Sequence, residues 1–184
     1  MDLHHDWMHG EFLSVRTNCS NSLCLVGFMI VAGIDPGKTG ALSILYPDNS
    51  VIVVDVPTIT LKGKDRPAWS EWEKSWSITL AFPPPDMIVI EDIAARPGQG
   101  VTSMFSFGRT LGFVHAIAAH ARAPLHFVTP SVWKGKLGLL NSDKGASREK
   151  ARTLFPVSAH HFARVKDDGR AEATLLAYYG RKYL

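Results

Sequence analysis

Several carboxylates lie where apolar segments of this chain begin or end, and their positions suggest a metal site. Asp35 closes the apolar run at residues 29–34, and Glu91 closes a second run at residues 87–90. Three acids stand together at the start of the last amphipathic segment: Asp167, Asp168 and Glu172. Acids gathered in one place repel each other unless a cation lies between them. Because carboxylate oxygens are preferred ligands of Mg²⁺ and Mn²⁺, the sequence predicts a site for one of these ions.

Helix geometry separates the two aspartates that open the last segment. Four residues along a helix return Asp168 to within about 40° of Glu172, whereas five residues leave Asp167 about 140° away. The predicted catalytic and metal-binding residues are therefore Asp35, Glu91, Asp168 and Glu172. Asp167 is the alternative to Asp168, and it is otherwise expected to cap the helix or to contact Arg170.

The segment at residues 33–40 admits two interpretations. It does not fit the Walker phosphate loop, because Ala32 occupies the position of the first glycine. It does fit the Asp-x-Gly-x-Thr phosphate loop of sugar kinases and actin-like ATPases, through Asp35, Gly37 and Thr39. It also fits a metal ligand at the end of a strand, followed by a tight turn whose small residues let a nucleic-acid backbone approach closely.

The charge of the chain is unevenly distributed. The 184 residues are 46% hydrophobic and 20% charged, which favours a single domain with a substantial core. Residues 130–184 contain 11 Lys and Arg against five Asp and Glu, whereas residues 1–129 contain nine against 12. A basic C-terminal third indicates an anionic partner, most commonly nucleic acid, and competes with a merely solvated surface. Its candidate phosphate contacts are Lys134, Lys136, Lys144 and Arg148.

Nothing in the sequence indicates a membrane or an oxidising compartment. The longest apolar stretch, residues 23–34, is too short to span a bilayer, and the 22 residues before it contain one Arg and three acids. Two cysteines are too few for a disulfide framework. We therefore expect no membrane partner and a cytoplasmic location, which would be the bacterial host's cytoplasm if the chain is encoded by a bacteriophage.

Residues 29–184 alternate between strand and helix patterns, and residues 1–28 lack any period. Strands are predicted at 29–35, 41–46, 51–56, 87–91 and 125–128. Helices are predicted at 67–81, 101–122, 130–137, 146–155 and 169–181. Short connections make the first three strands antiparallel, whereas the later strands follow helices and are parallel. The expected α/β fold is a mixed five-stranded sheet with helices on both faces, preceded by a poorly ordered extension at residues 1–28.

Two of the predicted helices carry aromatic or wide apolar surfaces. The tryptophans of 67–81 are spaced by three and four residues, which favours a core stripe over a base-stacking platform. On 101–122 the sheet-facing stripe is predicted to be Phe107, Leu111, Val114, Ala118 and Ala121. Phe105, Phe113 and Ile117 lie beyond that stripe, so this helix is the predicted core of a homodimer interface.

Together these motifs resemble the RuvC-type Holliday junction resolvases of the RNase H-like superfamily, especially their bacteriophage branch, from about residue 29 to the C-terminus. Four motifs carry the resemblance: Ile34-Asp35-Pro36-Gly37-x-x-Gly40, Val89-Ile90-Glu91, Thr129-Pro130-x-x-Trp133-Lys134 and Asp168-Gly169-Arg170-Ala171-Glu172-Ala173. Two departures stand out. The last acidic pair is one residue wider than in the bacterial enzymes, and Ala94 replaces the aromatic residue that they place three after Glu91.

The resemblance implies an RNase H-like nuclease domain and a homodimeric, metal-dependent endonuclease that nicks four-way junctions, or other branched DNA, on opposed strands. It implies two Mg²⁺ or Mn²⁺ ions per active site, held by the four predicted carboxylates. Lys38, Arg96 and Arg170 are further candidate DNA contacts. Two alternatives remain: a non-catalytic junction-binding protein, and an ATPase or kinase-type phosphate binder. The second needs a further nucleotide-binding lobe that 184 residues do not accommodate, so no nucleotide cofactor is expected.

Overall fold

A mixed five-stranded sheet forms the centre of the protein. The computed structural model describes residues 29–94, 98–143 and 145–184. In chain order the strands are β1 (Val31–Asp35), β2 (Ala41–Leu45), β3 (Val51–Asp55), β4 (Thr58–Leu61), β5 (Lys64–Pro67), β6 (Met87–Glu91) and β7 (Leu125–Val128). The main sheet has the order β3-β2-β1-β6-β7, antiparallel from β1 to β3 and parallel from β1 through β6 to β7. The predicted fold class and strand directions are confirmed. The predicted extension at residues 1–28 lies outside the described residues.

Among the described residues five α-helices flank the sheet: α1 (Trp69–Ala81), α2 (Val101–His120), α3 (Pro130–Lys136), α4 (Ala146–Leu154) and α5 (Asp168–Tyr183). Two 3₁₀ helices, Pro156–Phe162 and Val165–Asp167, join α4 to α5. All five helices were predicted, with boundaries within two residues of those observed. In the part of the chain that the structure describes, no helix combines the length and hydropathy of a membrane span.

The β4–β5 hairpin was not predicted. Its two strands form a separate sheet, and nearly every residue in them is exposed. Lys62 and Gly63 make the turn with φ angles of 50° and 71°, a left-handed pair that suits a tight hairpin. A strand pair that buries no face shows no alternation of apolar and polar residues, so the sequence pattern does not indicate this hairpin.

The two faces of the main sheet are covered by different helices. Alternate residues of β1 and β6, such as Val31 and Val89, pack with α5 in one apolar cluster. The intervening residues, such as Ile34 and Ile90, pack with α1 and α2 in a second cluster. The tryptophan stripe of α1 belongs to this second core, as predicted, because Trp72 and Trp76 are fully buried.

Helix α2 is rotated relative to the prediction. Its buried residues are Thr110, Val114, Ile117 and Ala118. Ile117 therefore faces the sheet and does not offer surface to a partner, and Phe113 packs against Trp69 and Trp72 with ring centroids 4.9 and 5.3 Å apart. Of the three residues expected beyond the stripe, only Phe105 is largely exposed, at 69%. The prediction for Phe113 and Ile117 is therefore wrong, because α1 covers the flank of α2 on which they lie.

Candidate active site

Asp35 and Glu91 end neighbouring parallel strands at the same edge of the sheet. Ile34 pairs with Ile90 in the β1–β6 register, so the two acids follow side by side. Side chains alternate between faces along a strand. Both acids therefore belong to the face that α5 covers, two residues beyond Gly33 and Val89 respectively.

Helix α5 approaches this edge so closely that only glycine fits at two contacts. A Cβ atom on Gly33 of β1 would collide with the backbone carbonyl of Ala173. A Cβ on Gly169 would collide with the carbonyl of Thr39, in the turn that follows β1. These contacts fix the first turns of α5 beside the end of β1. Asp168 and Glu172, on those turns, are thereby brought toward the edge where Asp35 and Glu91 end.

The pKa of Asp35 is raised by burial and by the neighbouring acids. Burial of its carboxyl is the main cause that raises the pKa of Asp35 to about 7, and the negative charges of Glu91 and Glu172 raise it further. The Gly37 N–H donates a hydrogen bond to Asp35 Oδ1 at 2.9 Å, and with the charge of Lys134 it opposes the rise. A carboxyl that retains its proton near neutral pH among other carboxylates is a site where added positive charge would be favourable.

Glu91 is held by a buried tryptophan. The carboxylate is only 4% exposed, and the indole Nε1–H of the fully buried Trp133 donates to Glu91 Oε1 at 2.9 Å. Trp133 reaches it from α3, which begins directly after β7, the strand beside β6. The hydrogen bond fixes the position of Glu91 and satisfies one of its oxygens away from water.

Glu172 and Asp168 are each paired with a basic side chain. Lys134 Nζ lies 2.8 Å from Glu172 Oε1, and the Ser147 hydroxyl lies 3.2 Å from the same oxygen. Arg148 Nε donates to Asp168 Oδ1 at 2.6 Å. Two of the residues predicted to contact DNA thus neutralise two of the residues predicted to bind metal.

Asp167 has a different environment from Asp168. It is 1% exposed and accepts hydrogen bonds of 2.8 to 3.2 Å from the backbone and guanidinium of Arg164. Burial alone would raise the pKa of Asp167, but its hydrogen bonds and the charges of Arg164 and Arg170 hold it below the ordinary value. Its expected contact with Arg170 is present at 3.7 Å. Asp167 stands at the N-cap of α5, as expected, yet its side chain makes no capping hydrogen bond.

The donor set fits a hard divalent cation by its chemistry, but the side chains do not enclose one. Across residues 29–94, 98–143 and 145–184, no three His, Cys, Asp or Glu side chains are grouped closely enough to hold a metal ion. The contacts explain this arrangement, because Trp133, Lys134 and Arg148 each hold a different carboxylate. A bound cation would compete with Lys134 for Glu172 and with Arg148 for Asp168.

The other candidate DNA contacts are scattered. Lys38 is exposed in the turn after β1, and Lys136 is exposed on α3 with its ammonium 5.9 Å from the Tyr183 ring. Arg170 makes a bidentate pair with Asp55 at 2.6 and 2.5 Å, which ties α5 to β3. Because that guanidinium is already engaged by two carboxylates, the structure favours a structural role for it over the predicted contact with DNA. Arg96 and Lys144 lie outside the described residues.

Two residues at the site were not assigned a role from the sequence. Trp133 belongs to one of the motifs that carried the family resemblance, and its place beside Lys134 was the available signal. Ser147 gave none, because a serine near the start of a helix is ordinary. Both hydrogen-bond to a predicted metal ligand, and the Trp133 ring also lies 5.1 Å from the Lys134 ammonium, so they are positioning residues.

Comparison with known proteins supports the fold. No family model matches the sequence, and no curated protein matches it either. The structure is similar to RuvC of Thermus thermophilus in complex with a Holliday junction substrate, at 22% identity and a TM-score of 0.57, over 84% of this chain and 96% of that one. It is also similar to a second structure of Thermus thermophilus RuvC, at 20% identity and a TM-score of 0.52, over 83% of this chain and 96% of that one. The chain has the fold of RuvC.

Proposed function

We propose that this chain is a divalent-metal-dependent endodeoxyribonuclease that resolves four-way DNA junctions by paired nicks. One observation carries the proposal. Acids from β1, β6 and α5 lie near enough at one edge of the sheet to interact electrostatically, and Glu91 and Glu172 help to raise the pKa of the buried Asp35 to about 7. A site that concentrates negative charge in this way is suited to cations that bring a phosphate to the carboxylates. The similarity to a RuvC structure that contains a junction substrate supports the choice of DNA.

Each residue of the site has a proposed role that follows from its position. Asp35, Glu91, Asp168 and Glu172 would hold the metal, with Mg²⁺ or Mn²⁺ the best match to an all-oxygen donor set. When bound, two such ions supply a water of lowered pKa and stabilise the departing 3′ oxygen. Trp133 keeps Glu91 at the edge through its 2.9 Å hydrogen bond. Lys134 and Arg148, which pair with Glu172 and Asp168, would contact the phosphates on either side of the cut if metal took their place at the carboxylates.

Paired nicks require two sites, and we propose that α2 supplies the dimer contact. The first half of α2 projects apolar side chains to solvent, with Val101 83% and Phe105 69% exposed. A Cβ on Gly108 or Gly112 would meet nothing within 4 Å, so the backbone there is open to a second helix. Phe105→Glu should give monomers in light scattering and unpaired nicks in DNA. Val157→Glu, which changes another highly exposed apolar residue (83%) on a 3₁₀ helix, serves as the control.

The test of the proposal is cleavage of labelled DNA. Four-way junction, flap and linear duplex are each incubated with the protein in Mg²⁺, in Mn²⁺ and in EDTA. We expect symmetric nicks in the junction with either metal and none in EDTA. Asp35→Asn should abolish cleavage while junction binding is kept or strengthened, because the substitution removes a negative charge near phosphate. Cleavage by this variant at the unmutated rate would remove Asp35 from the site.

A non-catalytic junction-binding protein is the second candidate. It is favoured by the salt bridges from Lys134 and Arg148, which neutralise two of the four acids without any metal. A protein that only binds would hold the junction tightly in EDTA and leave it intact in both Mg²⁺ and Mn²⁺. The same set of incubations therefore separates the two functions.

A further inference from the structure

The β4–β5 hairpin is a basic projection that the core does not use. All four residues of β4 and the first three of β5 are exposed, and the hairpin forms a sheet of its own. Three cations lie on it, namely Lys62, Lys64 and Arg66, against the single acid Asp65. An exposed strand pair gains little from burial, so its charge is the property that needs an explanation.

The strand register places charge and apolar surface on one face of the hairpin. Ile59 pairs with Arg66, and Leu61 pairs with Lys64, so these four side chains share a face. Ile59 is 43% exposed and Leu61 is 50% exposed. Asp65 belongs to the opposite face, where its Oδ1 accepts a 2.7 Å hydrogen bond from the Thr60 hydroxyl.

The basic face has no counter-charge in the part of the chain that the structure describes. No carboxylate there forms an ion pair with Lys62, Lys64 or Arg66. This distinguishes the hairpin from the candidate site, where Lys134 and Arg148 are both paired. Unpaired cations beside exposed apolar side chains form a surface complementary to a polyanion.

The hairpin leaves the sheet at the edge where the candidate active site lies. Asp35 pairs with Ala41 across β1 and β2, and Ala41 pairs with Asp55 across β2 and β3. Asp55 is the last residue of β3, three residues before the hairpin begins. It is therefore about 10 Å, or two strand spacings, from Asp35. The Ala68 N–H donates to the Pro57 carbonyl at 2.9 Å and closes the base of the hairpin. A hairpin of this length projects about 14 Å from that base.

We propose that the face of the hairpin bearing Lys64 and Arg66, together with Lys62 at its turn, binds the phosphates of a duplex DNA arm next to the active site. This inference rests on the proposed function, because it takes the ligand to be the nuclease's DNA substrate. A two-stranded ribbon has the width that a DNA groove admits, and cations on a ribbon can contact phosphates at its margins. The competing explanation is that the charges only prevent edge-to-edge strand pairing, in which case they would not affect DNA affinity.

The experiment compares two double variants of the full chain. Lys64→Gln with Arg66→Gln removes one lysine and one arginine from the hairpin. Lys74→Gln with Arg122→Gln removes the same charges from exposed positions outside it, on α1 and just after α2. Binding to a four-way junction is measured in EDTA across a range of salt concentrations. Each lost phosphate contact makes the slope of log affinity against log salt shallower by about 0.9, so the hairpin variant should lose about 1.8 and the control almost nothing.

The outcomes separate this inference from the proposed function. If the unmutated protein binds and cuts the junction, and both double variants keep its salt slope, the hairpin inference is overturned while the proposed function stands. If the unmutated protein does not bind branched DNA, the proposed function fails first and the inference fails with it. A loss confined to the hairpin variant, with circular dichroism and melting temperature unchanged, supports the inference.

Discussion

Replacing Asp35 with Asn should make the metal-free protein more stable, and the gain should grow with pH. Burial and two neighbouring carboxylates raise the pKa of Asp35 to about 7, from an ordinary value of 3.8. Between these two values the folded chain keeps a proton that the unfolded chain has released. The unmutated protein therefore loses stability as pH rises through that window, and the loss is complete above pH 7. Asparagine keeps the shape and the oxygen that accepts from Gly37, but it carries no charge to desolvate.

The size of the effect follows from the shift in pKa. A difference of roughly three pKa units corresponds to about 4 kcal/mol at high pH, which is an upper bound because the protein relaxes around the charge. From about pH 5.5 to pH 8 the difference in the free energy of unfolding between the variant and the unmutated protein should widen by about 2 kcal/mol. Urea unfolding in EDTA at both pH values measures this difference directly.

Two controls make the result specific to the site. Asp92→Asn removes an exposed acid directly after Glu91, and its effect should stay within about 0.5 kcal/mol at both pH values. Adding Mg²⁺ should reverse the ranking, because the ion stabilises only the protein that binds it. A gap that does not change with pH, or one that Asp92→Asn reproduces, would show that Asp35 is not desolvated among other acids.

Four further substitutions test the contacts of the site. Lys134→Met should tighten Mn²⁺ binding by up to about fivefold in a thermal-shift titration, because a partly exposed ion pair is worth about 1 kcal/mol or less; weaker binding would contradict competition for the carboxylate. Trp133→Phe removes the hydrogen-bond donor to the buried Glu91 and should lower the free energy of unfolding by about 1–3 kcal/mol. A much smaller loss would mean that this hydrogen bond is absent. Asp167→Asn should cost about 1–3 kcal/mol in stability but spare cleavage, since the buried Asp167 carboxylate is engaged by Arg164 and Arg170. Asp168→Asn should spare stability, because its side chain is 51% exposed, and lose orders of magnitude in cleavage rate; the reverse ranking would make Asp167 the ligand.

The main sheet could be predicted because its strands are apolar and its connections are short or helical. Asp35 and Glu91 were expected at one edge only if their strands were neighbours, and the β1–β6 pairing confirms that they are. The rotation of α2 could not be predicted in the same way. Its apolar residues cover more than one face, and contact with α1 decides which of them are buried. Apolar periodicity predicts the presence of a helix more reliably than it predicts which face of the helix is buried.

Ion pairs between residues that are distant in the chain could not be predicted from the sequence. A lysine-rich stretch before an acidic helix looks like a surface for phosphates, and the sequence does not show that Lys134 turns toward Glu172, 38 residues away. Arg170 illustrates the same limit, because its partner Asp55 is 115 residues distant. Such pairs depend on how α5 lies across the sheet, and that is set by close contacts at Gly33 and Gly169.

The salt bridges of the site also explain how four acids can be assembled before metal arrives. With Asp35 partly protonated near pH 7 and Lys134 and Arg148 paired with Glu172 and Asp168, most of the negative charge is offset inside the chain. The cost of folding without metal is thereby reduced, and the carboxylates stay near their places. Cations that bind later compete with two amino-acid cations and one proton, so metal affinity should rise with pH up to about 7, the pKa of Asp35. Metal binding measured by calorimetry at two pH values would detect the released proton, and uptake independent of pH would mean that Asp35 does not bind the ion.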